Sequence, residues 1–168
     1  SKSKVVSVLA TPATFRGQLI REVMQHFAVP AGVEVHAITN LELVPFVEAG
    51  QFNSIECKQS LQRVLDPVVA QGSDYLVLGC THYPYLKSTI QALYGTQLTL
   101  IDSGFAVARQ TSRILLKNEL ISTESQNNRI RIRCCVSGNN AKELEKVLKH
   151  LIPAEITWTI ENIVEKFG

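Results

Sequence analysis

The sequence contains no apolar run approaching the ~18–20 residues of a membrane span, so no membrane partner is expected. It carries no basic cluster longer than Arg129-Ile130-Arg131-Ile132-Arg133, and its formal net charge is only +2. That is too near neutral to argue for nucleic acid. Cysteine is sparse: Cys57, Cys80, Cys134 and Cys135 are the full set, and none forms a C-x-x-C pair. Cys134 and Cys135 are adjacent, and neighbours on a strand point to opposite faces. They are therefore a poor disulfide or metal pair. No Cys/His pair other than Cys80 and His82 has ligand spacing, so no metal is expected. No internal repeat or low-complexity segment is visible. Ser1-Lys2-Ser3-Lys4 runs straight into a strand-like segment, which leads us to expect no signal peptide. Free thiols then suit a reducing, cytoplasmic setting. Because the first residue is Ser1 rather than methionine, the native start is expected to lie upstream.

What is present is a chain of 168 residues, 45% apolar and 19% charged. That is enough for one domain with a real core, or one and a fraction. Residues 4–10 are a nearly continuous apolar run of strand length, as parallel strands covered on both faces require. Leu19, Ile20, Val23, Met24 and Phe27 then fall on one helical stripe and are expected to face inward. Residues 33–38 form a second strand. Residues 54–71 have a long helical pattern with Ile55, Leu61, Val64, Leu65, Val68 and Val69 inward. Pro67 is expected to kink or split that helix, and Gly72 to end it. Residues 74–79 are a third strand, 84–94 a helix closed by Gly95, 98–101 a fourth strand and 105–117 a further helix.

This alternation predicts an α/β fold: an open parallel sheet flanked by helices, with right-handed crossovers. Ligands of such sheets sit at the carboxyl ends of the strands. Three polar loops fall there: 11–14, 80–82 and 102–103. Residues 118–128 read as a loop. Residues 129–136 alternate as a strand with one wet face, and 137–139 lead into a helix with Leu144, Val147, Leu148 and Leu151 inward. Residues 156–160 are a last strand. This C-terminal β-α-β piece is too small to bury a core by itself, so it must pack onto something else.

Chemistry concentrates at Leu76-Val77-Leu78-Gly79-Cys80-Thr81-His82-Tyr83-Pro84. A thiol between a buried strand and a helix start meets unpaired N–H groups and a partial positive charge, which favour a thiolate. Pro84 suits a first helical turn, Gly79 allows close backbone approach, and His82 can tune the thiol or move a proton itself. A buried inert cysteine is the competing reading. Thr11 and Thr14 can be simple cap and turn residues, Asp102 and Ser103 can cap the following helix, and Glu48 can be a solvated surface carboxylate. Cys57 is expected to pack in a helix. His26, His36 and His150 have no chemical context.

Gly79-Cys80-Thr81-His82-Tyr83-Pro84 resembles the second-cysteine signature of bacterial glutamate racemases, in the cofactor-independent aspartate/glutamate racemase superfamily. Ala10-Thr11-Pro12-Ala13-Thr14 resembles that family's Thr-rich substrate loop, Leu43-Val44-Pro45-Phe46-Val47-Glu48 its Leu-Val-Pro-x-Val-Glu segment, and Ile101-Asp102-Ser103 its Ile-Asp-Ser turn. The resemblance is good over residues 5–115. It is thinner over 129–150, where Val136-Ser137-Gly138 stands in place of the usual Thr-Gly. Aspartate racemases tend to carry Glu after Cys-Thr, so His82 favours glutamate.

The resemblance implies that Cys80 is one of two opposed cysteine acid/bases acting at the α-carbon of glutamate, with no cofactor. His82 would assist it. Thr81, Thr11 and Thr14 would bind substrate, and Glu48 would orient His82 or the substrate ammonium. D-glutamate for peptidoglycan cell-wall synthesis would be the product supplied. The family's other signatures, an Ala-Cys-Asn-Thr segment with the first cysteine and a Tyr-Gly-Asp segment, have no counterpart in this sequence. We therefore expect a fragment. Residues 1–102 would be the second α/β domain of a racemase, and 103–168 a return segment and β-α-β portion packing on a first domain not contained here. Such a chain is expected to be inactive alone and to form homo-oligomers or domain-swapped species through an exposed tail. An aspartate or hydantoin racemase, or a non-catalytic small-molecule-binding domain, is the alternative.

Overall fold

The computed structural model describes residues 1–121, 131–136, 141–152 and 154–162. Expectations for the loop at 122–128, for Arg129, for residues 137–139 and for the side chains of His150 and Leu151 lie outside the described residues. Two compact units are distinguished: residues 1–47 with 51–109, and residues 48–50 with 110–168.

In the first unit, four strands form a parallel sheet in the order β2-β1-β3-β4. They are β1 (Val5–Leu9), β2 (Glu34–Ile38), β3 (Tyr75–Leu78) and β4 (Thr99–Asp102). Residues in register share a face of a parallel sheet, so Leu9, Ile38 and Leu78 stand on one side, as do Ser7 and Leu76 one pleat earlier. That side carries the core. Leu9, Leu76 and Leu78 pack there with Leu43 and Val47 of α3 (Leu43–Glu48), Leu61, Leu65 and Val68 of α4 (Ile55–Ala70), and Ile90 and Tyr94 of α5 (Lys87–Tyr94). Cys57 is fully buried among them, as its helical position led us to expect.

The connection from β1 to β2 runs toward one edge of the sheet, whereas those from β2 to β3 and β3 to β4 run toward the other. Right-handed crossovers therefore put the first connection on the opposite face. It consists of α1 (Pro12–Arg16), α2 (Gln18–Val23) and a π-helical turn, Met24–Ala28. None of these has a buried residue. The stripe expected to face inward is instead open, with Leu19 74% and Phe27 72% exposed. Periodicity identified the helix but not a partner for its apolar side.

One expectation for α4 also fails. Ile55 is 69% exposed, because it is the first helical residue after the Ser54 cap and precedes the inward stripe. Pro67 does not split the helix, which runs unbroken from Ile55 to Ala70. It stands in the last turn, where its missing N–H forfeits the one bond to the Arg63 carbonyl and only three helical residues follow it. The turn after β3 differs as well. A 3-10 turn, Tyr83–Leu86, intervenes, and α5 begins only at Lys87. Gly95 ends α5 with φ +55°, a left-handed conformation that glycine adopts at no steric cost.

After β4, α6 (Gly104–Lys117) has no buried residue, and Phe105, Val107, Ile114 and Leu116 are all exposed. In the second unit, β5 (Arg131–Val136) pairs in parallel with β6 (Thr157–Asn162), and α7 (Ala141–Leu151) connects them. This is the expected β-α-β piece. Arg133 reaches Glu161 across the pair at 3.6 Å. Cys135 is exposed and Cys134 partly buried, as adjacent strand residues must differ.

Candidate active site

The carboxyl ends of β1, β3 and β4 lie side by side, so the three polar loops read from the sequence meet along one edge. Backbone bonds extend the sheet just past the strands: Ala10 N–H donates to Ile38 O at 3.0 Å, and Gly79 N–H donates to Leu9 O at 2.9 Å. Gly79 suits this approach. A Cβ there would stand 3.1 Å from the Ala10 Cβ, tighter than ordinary packing.

Beyond Gly79 the chain turns. Tyr83 N–H donates to Cys80 O at 3.3 Å, and Tyr85 N–H donates to His82 O at 3.2 Å. The turn brings His82 Nδ1 to 3.9 Å from Cys80 Sγ and 3.5 Å from Thr81 Oγ1. Cys80 and His82 are partly buried and Thr81 is exposed. Tyr83, by contrast, is fully buried. Burial, and after it the charge of a Cys80 thiolate, push its phenol above the ordinary value. The α5 N-terminus invoked from the sequence is not adjacent to the thiol, since the 3-10 turn separates them.

Cys80 and Thr81 form one wall of an open cleft of about 590 Å³; Asp102, Ser103 and Gly104 form another, and Tyr85 also lines it. Asp102 pairs with Lys87 and accepts the Gly104 N–H through Oδ1 at 2.6 Å. The lysine contact and then the backbone N–H hold its carboxyl below the usual carboxylate range. Asp102 therefore does turn the chain into α6, as expected of a capping residue, but it also faces the cleft. Sequence reasoning left Asp102, Ser103 and Tyr85 out of the site residues. The strand-end position of the first two was the available signal; Tyr85 had none.

Thr11 and Thr14 stand on the loop after β1. Their hydroxyls are 3.1 Å apart, and Thr14 N–H donates to Thr11 Oγ1 at 3.4 Å, which caps α1. Thr11 follows Leu9 by two residues as Cys80 follows Leu78, and Leu9 and Leu78 are in register on neighbouring strands. Glu48 is the last residue of α3 and is exposed. It is grouped with the second unit, whereas every residue of the cleft belongs to the first.

A family model described as Asp/Glu/hydantoin racemase matches residues 1–111. The chain belongs to the Asp/Glu/hydantoin racemase family. Within it, the chain is 50% identical over 121 residues to a glutamate racemase of Deinococcus radiodurans, covering 72% of this chain and 42% of that protein. It is 40% identical over 126 residues to a glutamate racemase of Cupriavidus pinatubonensis, covering 71% and 43%. The chain thus spans less than half the length of these racemase-family relatives. Among solved structures, it is similar to Escherichia coli glutamate racemase in complex with L-glutamate and the activator UDP-MurNAc-ala. That match has 27% identity and a TM-score of 0.69 over 96% of this chain and 59% of that one. A glutamate racemase isoform from Bacillus anthracis shares the fold at 22% identity and a TM-score of 0.72, over 98% and 59%.

Among the described residues, no helix is long and apolar enough to cross a membrane.

Proposed function

We propose that this chain supplies one wall of a cofactor-independent glutamate racemase, with Cys80 as the acid/base for one face of the α-carbon. The observation that carries the reading is the contact of His82 with Cys80, a thiol that lines a cleft at the carboxyl edge of the sheet in a racemase-family chain. Racemisation removes a proton from one face and returns one to the other. As thiolate, Cys80 takes the α-proton and becomes the thiol; as thiol, it delivers the proton in the reverse direction. A second base on the opposite face does the converse. No Cys-Asn pair occurs in this sequence, so we assign that base to a segment other than these residues.

His82, whose Nδ1 lies 3.9 Å from the Cys80 sulfur, assists it by exchanging a hydrogen bond with the sulfur as the proton moves. Thr81, Thr11 and Thr14 offer hydroxyl and backbone groups to the substrate, and Glu48 orients His82 or the substrate ammonium. The carbanion needs a closed, desolvated, hydrogen-bonded pocket. The open cleft and exposed Thr81 fit a half-site that a facing wall completes. The product, D-glutamate, would serve peptidoglycan synthesis in the cytoplasm. The exposed apolar residues of α6 support self-association of the chain when that wall is absent.

The test is a circular-dichroism racemisation assay with L- and D-glutamate, L-aspartate and a hydantoin. It is run on this chain and on the whole protein containing it. The whole protein should racemise glutamate and this chain should not. Turnover by this chain at the rate of the whole protein would overturn the half-site reading. Preference of the whole protein for aspartate or hydantoin would overturn the substrate assignment.

A further inference from the structure

Tyr83 is the largest fully buried side chain of the first unit, yet it directly follows His82. Its ring belongs to the core. Its hydroxyl donates to the backbone carbonyl of Asn40 at 3.0 Å. Asn40 lies two residues beyond the end of β2, and β1 separates β2 from β3 in the sheet. The phenol therefore bridges from the β3 loop to the β2 loop, past the strand between them.

The receiving end is itself fixed. Asn40 Nδ2 donates to Ser60 O at 3.1 Å and Ser60 Oγ at 2.9 Å, while its Oδ1 accepts the Glu42 N–H at 3.1 Å. Ser60 is fully buried in α4. On the other side, the Tyr83 amide bonds the Cys80 carbonyl. One residue thus anchors both ends of the short turn that sets where the imidazole stands relative to the thiol.

The geometry points to Tyr83 as a positioning residue: its hydroxyl, held by the Asn40 carbonyl, fixes the turn and thereby sets the contact between Cys80 and His82. This deepens the reading of Cys80 and His82 as an acid/base pair and rests on it, but its test needs no turnover. The titratable groups around the thiol are His82, Tyr83, Tyr85 of the cleft lining and, on the β4 side of the cleft, Asp102 with its partner Lys87. Tyr83→Phe keeps the ring in the core and removes only the hydroxyl.

The experiment is the pH profile of iodoacetamide alkylation at each cysteine, read by peptide mass spectrometry on the full chain. Cys57, fully buried, serves as the internal reporter of global unfolding. In Tyr83→Phe the alkylation midpoint of Cys80 should move away from its wild-type position, as expected when a ring nitrogen in contact with the sulfur is displaced. Cys57 should stay protected. His82→Asn should move the Cys80 midpoint by a similar amount, and the double variant should shift it no further, since both changes remove one interaction. An unmoved Cys80 midpoint in Tyr83→Phe, loss of Cys57 protection, or additive shifts in the double variant would each overturn the proposal. A racemisation assay that fails while the midpoint shifts as expected would count against the racemase reading alone.

Discussion

His82 Nδ1 stands 3.9 Å from Cys80 Sγ. That is long for a contact to a neutral thiol, and catalytic hydrogen bonds are often long until the substrate complex closes. In the whole protein, Cys80→Ala and Cys80→Ser should abolish racemisation in the circular-dichroism assay. His82→Asn should lower kcat by about 10²–10⁴-fold, the usual contribution of a positioned acid/base group. Unchanged turnover in Cys80→Ser would remove the thiol from the mechanism.

Lys87 and Asp102 join α5 to the end of β4. The Asp102 carboxyl is held below its ordinary value, so its ionised form stabilises the fold. That stabilisation is fully present above the unfolded-state value of about 3.9 and is lost as pH falls through the lower folded value. Asp102→Asn should therefore be less stable than the wild type at pH 7. Because Lys87 is 42% exposed, the loss should be at most about 1 kcal/mol. Urea midpoints at pH 7, 4 and 3 should converge; a pH-independent gap would refute the ion pair as its source.

Core and surface leucines should separate sharply. Leu76→Ala empties a fully buried site on β3 and should cost about 2–5 kcal/mol. Leu19→Ala, on a side chain 74% exposed, should change stability by less than about 0.5 kcal/mol. Equal losses in urea denaturation would mean that the α2 stripe is covered after all.

The apolar residues of α6 should make the chain associate. Light scattering over a range of concentrations is expected to show a rising mean mass, and Phe105→Lys with Leu116→Lys should reduce it. A concentration-independent monomer would rule out self-association through this helix.

The sheet was legible because its strands read as short apolar runs bounded by turns, and alternation with helices implied parallel pairing. The Cys80 loop was legible because thiol, hydroxyl and imidazole fall together just past a buried strand. Asp102 was read as a cap, which it is, but its second role in the cleft needed the neighbouring strands to be placed. Leu19, Val23 and Phe27 misled because a helical stripe says which side is apolar, not whether anything lies against it. Tyr83 was quoted only as part of a motif, and nothing local in the sequence signals that its hydroxyl reaches Asn40.

Local patterning alone was enough to place the strands and the main helices and to put the thiol at a strand's carboxyl end, because each depends on residues close together in the chain; parallel pairing followed from their alternation. The tertiary structure decided which apolar faces find a partner, how Asp102 is shared between Lys87 and the cleft, and how Tyr83 ties the turn carrying Cys80 and His82 to Asn40. Those relationships join residues 15 to 43 positions apart in sequence, where only the packed sheet brings them within bonding distance.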